Sequence, residues 1–260
     1  MHDLLTTREV IDLLKIDRTT LYRMLKDGRL TGVKIGSQWR FHPKRVEALL
    51  AGENPLPKAE GDLLEMLPIF CVQPLQEVLA DIAQVGVVTT TADGTPITEI
   101  SHCSEFCQLI LSTESGRESC LAAWRKLASQ EEEAPRFVTC HAGLQYARAR
   151  IRQNGTPVAM LIAGQFYTEL PQSDEIQKRI AQLAKKHRLD AQQLTRAAEQ
   201  ITVIDQRWQE RITEWLQKLA NILGRVTRER ADFIRRLQRI TELSQVEKDY
   251  VPKIGSKESF

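Results

Sequence analysis

"DRTTLYRMLKDGRLTGVKIGSQWRF", residues 17–41, changes period in its middle, and that change decides the fold of the N-terminal segment. Up to Gly28 the apolar residues Leu21, Met24 and Leu25 recur at helical spacing, with Asp17 placed as N-cap and Gly28 as the stop. Beyond it Val33, Ile35, Trp39 and Phe41 alternate in two short extended runs about Gly36-Ser37, which is the pattern of a β-hairpin. Upstream, Thr6 stands three residues before Glu9 as in a capping box, and Val10, Leu13 and Leu14 share one helical face. Downstream, "HPKRVEALLAG" opens a helix with Pro43 in its first turn and closes at Gly52. Helix, helix, basic hairpin and helix is the order of a winged helix-turn-helix.

Charge agrees with that order. Residues 16–45 hold eight Lys or Arg against Asp17 and Asp27, whereas the whole chain carries only +2, so the remainder is slightly acidic. A compact basic segment on a balanced protein is the electrostatic footprint of a nucleic-acid contact surface. A recognition helix offers its first residues to the major groove while flanking cations neutralise phosphates. This places Arg18, Thr19, Thr20 and Arg23 at or near bases, Tyr22 and Lys26 near the backbone, and Lys34, Ser37, Gln38 and Arg40 on the wing against phosphate or the minor groove. The stretch "TTREVIDLLKIDRTTLYRMLKDGRLTGVKIGSQWRFHPKRVEALL" resembles the excisionase and MerR-like DNA-binding domains, with caps, Gly28, wing and Arg40 in register. The resemblance covers about a fifth of the chain and implies double-stranded DNA as a partner.

The 260 residues allow two modules, and 42% hydrophobic with 27% charged residues is the balance of an ordinary globular chain. No apolar run reaches the roughly 18 residues of a membrane span, and the N-terminus lacks the pattern of a signal peptide, so the expectation is a cytoplasmic protein without a membrane partner. Reducing conditions there argue against structural disulfides among the five cysteines. Residues 1–52 form the DNA-binding unit, and the Pro/Gly-rich, charged residues 53–62 form a linker. A second unit is expected over residues 63–205.

In that unit Pro68 and Pro74 divide a lead-in from a helix expected over Leu75–Ala83. "VGVVTTTADGTPIT" (85–98) reads as a hairpin about Asp93-Gly94, and "STESGRESC" as a capping box of Ser115 and Glu118. The last three extended runs include a turn at Asn154-Gly155. Together these predict an α+β sheet with helices on one face. The region resembles the PocR sensory domain, a PAS-like ligand-binding module of bacterial regulators. The resemblance rests on "VGVVTTTADGTPIT", "FCQLI", Cys120 after "SGRES", "CHAGL" and "GQF". It implies a PAS-like fold and a small-molecule effector, a small hydrocarbon derivative such as a short alcohol.

Cys103, Cys107, Cys120 and Cys140 lie within 38 residues, and Cys103 and Cys107 are one helical turn apart. With His141 beside Cys140, two readings stand together: a zinc or iron site, or a redox switch, and small buried thiols of an ordinary core. The spacing C-x3-C-x12-C-x19-C-H is not a zinc-finger or ferredoxin pattern. A nucleophilic Cys140 with His141 as base ranks last, because neighbours on a strand point to opposite faces, and a non-enzyme is expected. His102 is a further donor to an effector. For a ligand pocket the expected walls are Phe106, Trp124, Phe137, Tyr146 and Phe166, with Thr89, Thr91 and Gln165 as polar contacts.

Finally, Ile212, Leu216, Leu219, Leu223, Val226, Arg230, Phe233, Leu237 and Ile240 alternate by four and three, a heptad seam broken by Arg230. Residues 206–247 are therefore expected to join two copies as a coiled coil, with 248–260 as a tail. A two-fold dimer suits a DNA-binding module that meets two half-sites.

Overall fold

The computed structural model describes residues 4–26, 30, 32–35, 38–41, 43–50, 67–132 and 134–249. Its N-terminal unit opens on a reciprocal cap: the Glu9 amide donates to Thr6 Oγ1, and the Thr6 amide donates to Glu9 Oε2 at 2.6 Å. From there run β1 (Leu5–Thr6), α1 (Thr7–Leu14), α2 (Arg18–Lys26), β2 (Gly32–Ile35), β3 (Gln38–Phe41) and α3 (Pro43–Leu50). The hairpin pairs Val33 with Arg40 and Ile35 with Gln38, as its alternation requires. Sequence reasoning missed β1, which adds a third strand by pairing Leu5 with Phe41. Two residues carry too little alternation to signal a strand. Val10, Leu21, Met24, Leu30, Phe41 and Val46 make the small core. Leu13 is exposed, because the buried side of α1 is centred between Val10 and Leu14, and Leu13 lies roughly 80° round from it. The expected stops at Gly28 and Gly52, and the linker 53–62, lie outside the described residues.

The second unit begins with α4 (Ile69–Ala83), which continues through Pro74 instead of starting after it. The missing amide of Pro74 would have bonded the Phe70 carbonyl, and both residues sit on the exposed side of the helix. β4 (Gly86–Thr91) follows. The segment after Asp93-Gly94 returns along it only through bridges at Thr90–Pro96 and Val87–Ser101. The expected hairpin is therefore one strand and an irregular partner.

The helices α5 (Glu105–Leu111) and α6 (Glu114–Ala128) come next. Thr113, not Ser115, caps α6, its hydroxyl accepting from the Gly116 amide. The strands β5 (Val138–Thr139), β6 (Gln145–Gln153) and β7 (Thr156–Phe166) complete an antiparallel sheet in the order β4-β7-β6-β5. Asn154 and Gly155 take φ of 50° and 84°, which is the primed hairpin turn their identities predict.

Then come α7 (Ser173–His187), α8 (Ala191–Glu199) and α9 (Gln206–Asp249). Helices cover both faces of the sheet, not one. Residues 158–164 of β7 are buried without interruption, so neither face is left to water. On one face Val87, Ala149 and Leu161 pack with Leu79 of α4 and with Ile212, Leu216 and Leu223 of α9. On the other, Val88, Tyr146, Met160 and Ile162 pack with Leu127 of α6.

In this packing the residues of α9 just past the expected boundary at 205 lie against the sheet. The first half of the heptad seam lies on the chain's own sheet, which accounts for its apolar residues without a second copy. Past Leu223 the seam changes character. The Arg230 guanidinium lies over the Phe70 ring of α4 at 5.9 Å, and Phe233 is 61% exposed. Gly224 is where α9 and the sheet touch most closely, since a Cβ there would stand 2.5 Å from the Arg152 carbonyl oxygen. No helix among the described residues is long and apolar enough to cross a membrane.

Candidate functional site

Between the sheet and α5/α6 lies an apolar cavity of about 60 Å³. Alternation along the strands builds its floor: Gly86 and Val88 of β4 and Ile162 and Gly164 of β7 face the same way. Cys107 and Ile110 from α5, Cys120, Ala123 and Trp124 from α6, and Cys140, His141 and Tyr146 before and within β6 close it. The Tyr146 hydroxyl donates to the Ala123 carbonyl at 3.1 Å, so this phenol is already occupied in holding β6 to α6.

Of the eight residues expected to contact a ligand, Trp124, Tyr146 and Gln165 line the cavity. The other five are used elsewhere. Thr89 points to the opposite face, where its hydroxyl and that of Thr98 both donate to Gln76 Oε1 and the Gln76 amide donates to Ser101. Thr91 is bonded within the turn by Asp93 and Thr95. Phe137 and Phe166 stack edge to face at 5.0 Å on the α9 side, and Phe106 sits in the core between α5, α7 and α8. Aromatic residue type does not reveal the face, and position relative to the bulged start of β6 does.

The thiols divide. Cys107, Cys120 and Cys140 line the cavity, while Cys103 precedes the Ser104 N-cap of α5 and lines an outer, more polar pocket, so it does not share a helical face with Cys107. Burial pushes Cys120 up to about 12 and Cys103 to about 11, and raises Cys107 and Cys140 as well. Protonated thiols are poor nucleophiles. Among the described residues no group of three or more His, Cys, Asp or Glu side chains is arranged to hold a metal ion. Cys103, Cys120 and Cys140 all lie close enough to Cys107 to bear on its charge, so the fold gathers the four expected thiols about one point. What the cysteines supply is soft apolar wall.

Polar capacity at the cavity comes from two places. His141 Nε2 meets Cys120 Sγ at 3.3 Å, and its Nδ1 is buried with no partner among the described residues. The His187 ring stands edge-on at 6.0 Å, held by Ser115 Oγ at 3.0 Å. Gln165 is the second. It takes φ of 77°, unusual for a side chain with a Cβ, and its amide lies flat against Gly86, where any Cβ would collide with it. Its Oε1 accepts from the Ser104 amide at 2.7 Å, and its Nε2 reaches Cys103 Sγ at 3.7 Å. Gln165 and Gly86 line both the inner cavity and the outer pocket, so this side chain is the partition between them. His102, exposed at φ 52°, lies on the outer pocket and 3.9 Å from Asp81.

Burial, with Lys186 and His187 nearby, lowers His141 to about 4, and burial with Lys186 nearby lowers His187. A histidine held neutral when folded contributes fully above pH 6.5. Below it the unfolded chain takes up a proton that the folded chain refuses. Stability should therefore fall by about 2–3 kcal/mol between pH 6.5 and 4, a figure reduced for partial exposure. Urea unfolding at pH 7.5, 5.5 and 4.5 tests this, and a His141→Gln protein should show a flatter profile than the parent.

On the N-terminal unit, Arg18, Thr19, Tyr22 and Arg23 form an exposed row on α2. The Arg18 guanidinium lies over the Tyr22 ring at 5.7 Å. Thr20 is committed to the cap, its amide and hydroxyl both donating to the Asp17 carboxylate at 2.8 and 2.9 Å. Arg40 Nη1 donates to the Trp39 carbonyl. Ser37 and the side chains of Lys26, Lys34 and Gln38 lie outside the described residues.

Comparison with known proteins follows the same division. Residues 4–54 match the family model of a helix-turn-helix domain, and residues 65–227 match that of a sensory domain found in PocR. A protein of Mycobacterium tuberculosis named as a DNA-binding protein is 38% identical over 47 residues, 18% of this chain and 60% of that protein. The chain thus spans well under two thirds of that relative. Among solved structures, the Agobacterium tumefaciens repressor BlcR is 14% identical, with 86% of this chain and 89% of that one covered at a TM-score of 0.26. An IclR homologue from Microbacterium hydrocarbonoxydans, complexed with 4-hydroxybenzoate, is 12% identical over 76% of this chain and 92% of its own, at a TM-score of 0.24. Overlaps this loose bear on neither fold nor ligand.

Proposed function

We propose, from the premise that the chain belongs to the family of the PocR sensory domain and carries a helix-turn-helix domain ahead of it, that it is a ligand-responsive transcription regulator. Its N-terminal unit binds operator DNA through α2 and the wing. Its second unit takes up a small molecule in the cavity beneath α5 and α6. The observation that carries the ligand reading is the cavity itself, an apolar chamber with an unpartnered histidine nitrogen on its wall. Its volume is under half of the roughly 150 Å³ in which benzene fits, so the effector is no larger than about three non-hydrogen atoms. It is mainly apolar with one hydrogen-bonding group for His141, a description that a short alcohol or aldehyde satisfies. Entry goes through the outer pocket and moves Gln165 off Ser104 and Cys103, which unlatches the start of α5. Two copies join through the distal part of α9, where Phe233 faces water.

A thermal-shift screen of the full chain against short alcohols, aldehydes, small aromatics and zinc tests this. A compound that binds only the folded state raises stability by about 2.7 kcal/mol at a hundredfold excess over its Kd. Ala123→Leu, which fills the chamber, should remove the shift and leave DNA binding intact. A shift from zinc alone, or from hits that survive the filled chamber, would count against the reading.

A further inference from the structure

Beyond Lys218, α9 becomes strongly basic: residues 218–239 hold seven Lys or Arg against Glu229 and Asp232. At 100° per residue, Lys218, Arg225, Arg228, Arg235, Arg236 and Arg239 fall within an arc of about 100° and extend over roughly 32 Å of helix. All six are exposed. Lys218 is paired with Glu214 at 2.5 Å and Arg235 with Asp232. Arg225, Arg228, Arg236 and Arg239 have no carboxylate partner among the described residues. Two neighbouring concavities form along the row, one bounded by Arg152, Lys218, Arg225 and Arg228 with Gly224 as its floor, the other by Arg235, Arg236 and Arg239. Arg152 is brought there because Gly224 lets its carbonyl rest on the helix.

We infer that this arginine row is a second DNA-contact surface, which binds the phosphate backbone of duplex flanking the site held by the N-terminal unit. The inference rests on the DNA-binding reading above. Guanidinium groups match phosphate with two parallel hydrogen bonds, and five of the six cations are arginine. An anionic membrane fits less well. A helix lying on lipid must bury a broad apolar face. Here the broad face is used, with Ile212, Leu216, Leu223, Ala231 and Ile234 buried within the chain, and what remains exposed is the narrow row of Ile222, Phe233 and Ile240. The row is also sequence-blind by construction, since it offers cations to a uniform backbone and no reading edge to a base.

Anisotropy titration of the full chain with a 40-base-pair duplex of random sequence, at several salt concentrations, tests the assignment. Each phosphate contact contributes about one unit to the slope of log K against log salt. The quadruple change Arg225→Gln, Arg228→Gln, Arg236→Gln, Arg239→Gln should lower that slope by about 2–4 and weaken binding about 10- to 1000-fold, and the matching Lys protein should keep the parent slope. Thermal melts of both proteins establish that each is folded. A parental slope in the Gln protein, alongside loss of binding on changing Arg18 and Arg23, overturns the second surface and leaves the N-terminal reading standing. No duplex binding by the unaltered chain overturns both. A Gln protein that keeps its duplex slope and loses binding to phosphatidylserine vesicles, or to an acidic peptide, overturns the assignment to DNA.

Discussion

Arg148→Met should lower the unfolding free energy by about 3–5 kcal/mol and the melting temperature by roughly 8–15 °C. Arg148 is 3% exposed, a buried cation on a sheet. Its Nε donates to the Leu127 carbonyl at 2.7 Å and its Nη2 to the carbonyls of Gln130 and Glu132 at 2.5 and 3.0 Å. Arg150, two residues on and so on the same face, donates to Ala128 at 3.2 Å and to Gln130. These are carbonyls at the end of α6 and just past it, where a helix leaves acceptors unbonded and concentrates negative partial charge. Methionine keeps the length and removes every donor, so several buried carbonyls lose partners together. Urea unfolding measures the loss, and a change below about 1 kcal/mol would sink the account. Because Cys120, Ala123 and Trp124 of α6 wall the cavity, the same protein should also lose its effector-dependent stabilisation.

Arg18→Ala combined with Arg23→Ala should cut affinity for an operator, selected from a random pool by the unaltered chain, by about 30- to 5000-fold. That is 2–5 kcal/mol for two contacts of about 1–3 kcal/mol each. Both side chains are exposed, Arg18 at the start of α2, the end that a recognition helix offers to the major groove, and Arg23 further along the same helix. The melting temperature should barely move. Thr20→Ala should behave the opposite way, with a loss of stability and little change in sequence preference, because its hydroxyl and amide serve the Asp17 cap. Binding of the double variant within threefold of the parent would place recognition elsewhere.

The N-terminal unit was nearly complete in the sequence because its signals are local. A cap, a helical period and a two-run alternation each occupy fewer than a dozen residues, and Thr6, Asp17, Trp39 and Pro43 stand where those signals put them. The sensor was legible as elements and less so as faces. "ARARIRQ" reads as a strand, but nothing in it says that Arg148 and Arg150 turn inward, since their acceptors are carbonyls some twenty residues away. The cysteines were correctly gathered, and three of them meet at one cavity. Their burial was not legible in the spacing, and it is burial that raises the thiols. The heptad seam of α9 was open to two readings for a related reason. A row of apolar residues recurring by three and four fits a sheet as well as it fits a second helix, and here the sheet takes the first half.

That division of α9 has a mechanical consequence. Leu216 and Leu223 are clamped into the sensor core, and the same unbroken helix runs on to Asp249, roughly 39 Å past Leu223. It is a lever whose short arm lies on the sheet. A tilt of about 5° at the clamp, within what a shifted strand could impose, would sweep the far tip through roughly 3 Å. Displacement of that order is comparable to the rise of a single base pair, so a chamber with room for only a few atoms could change how far apart two distant surfaces are held.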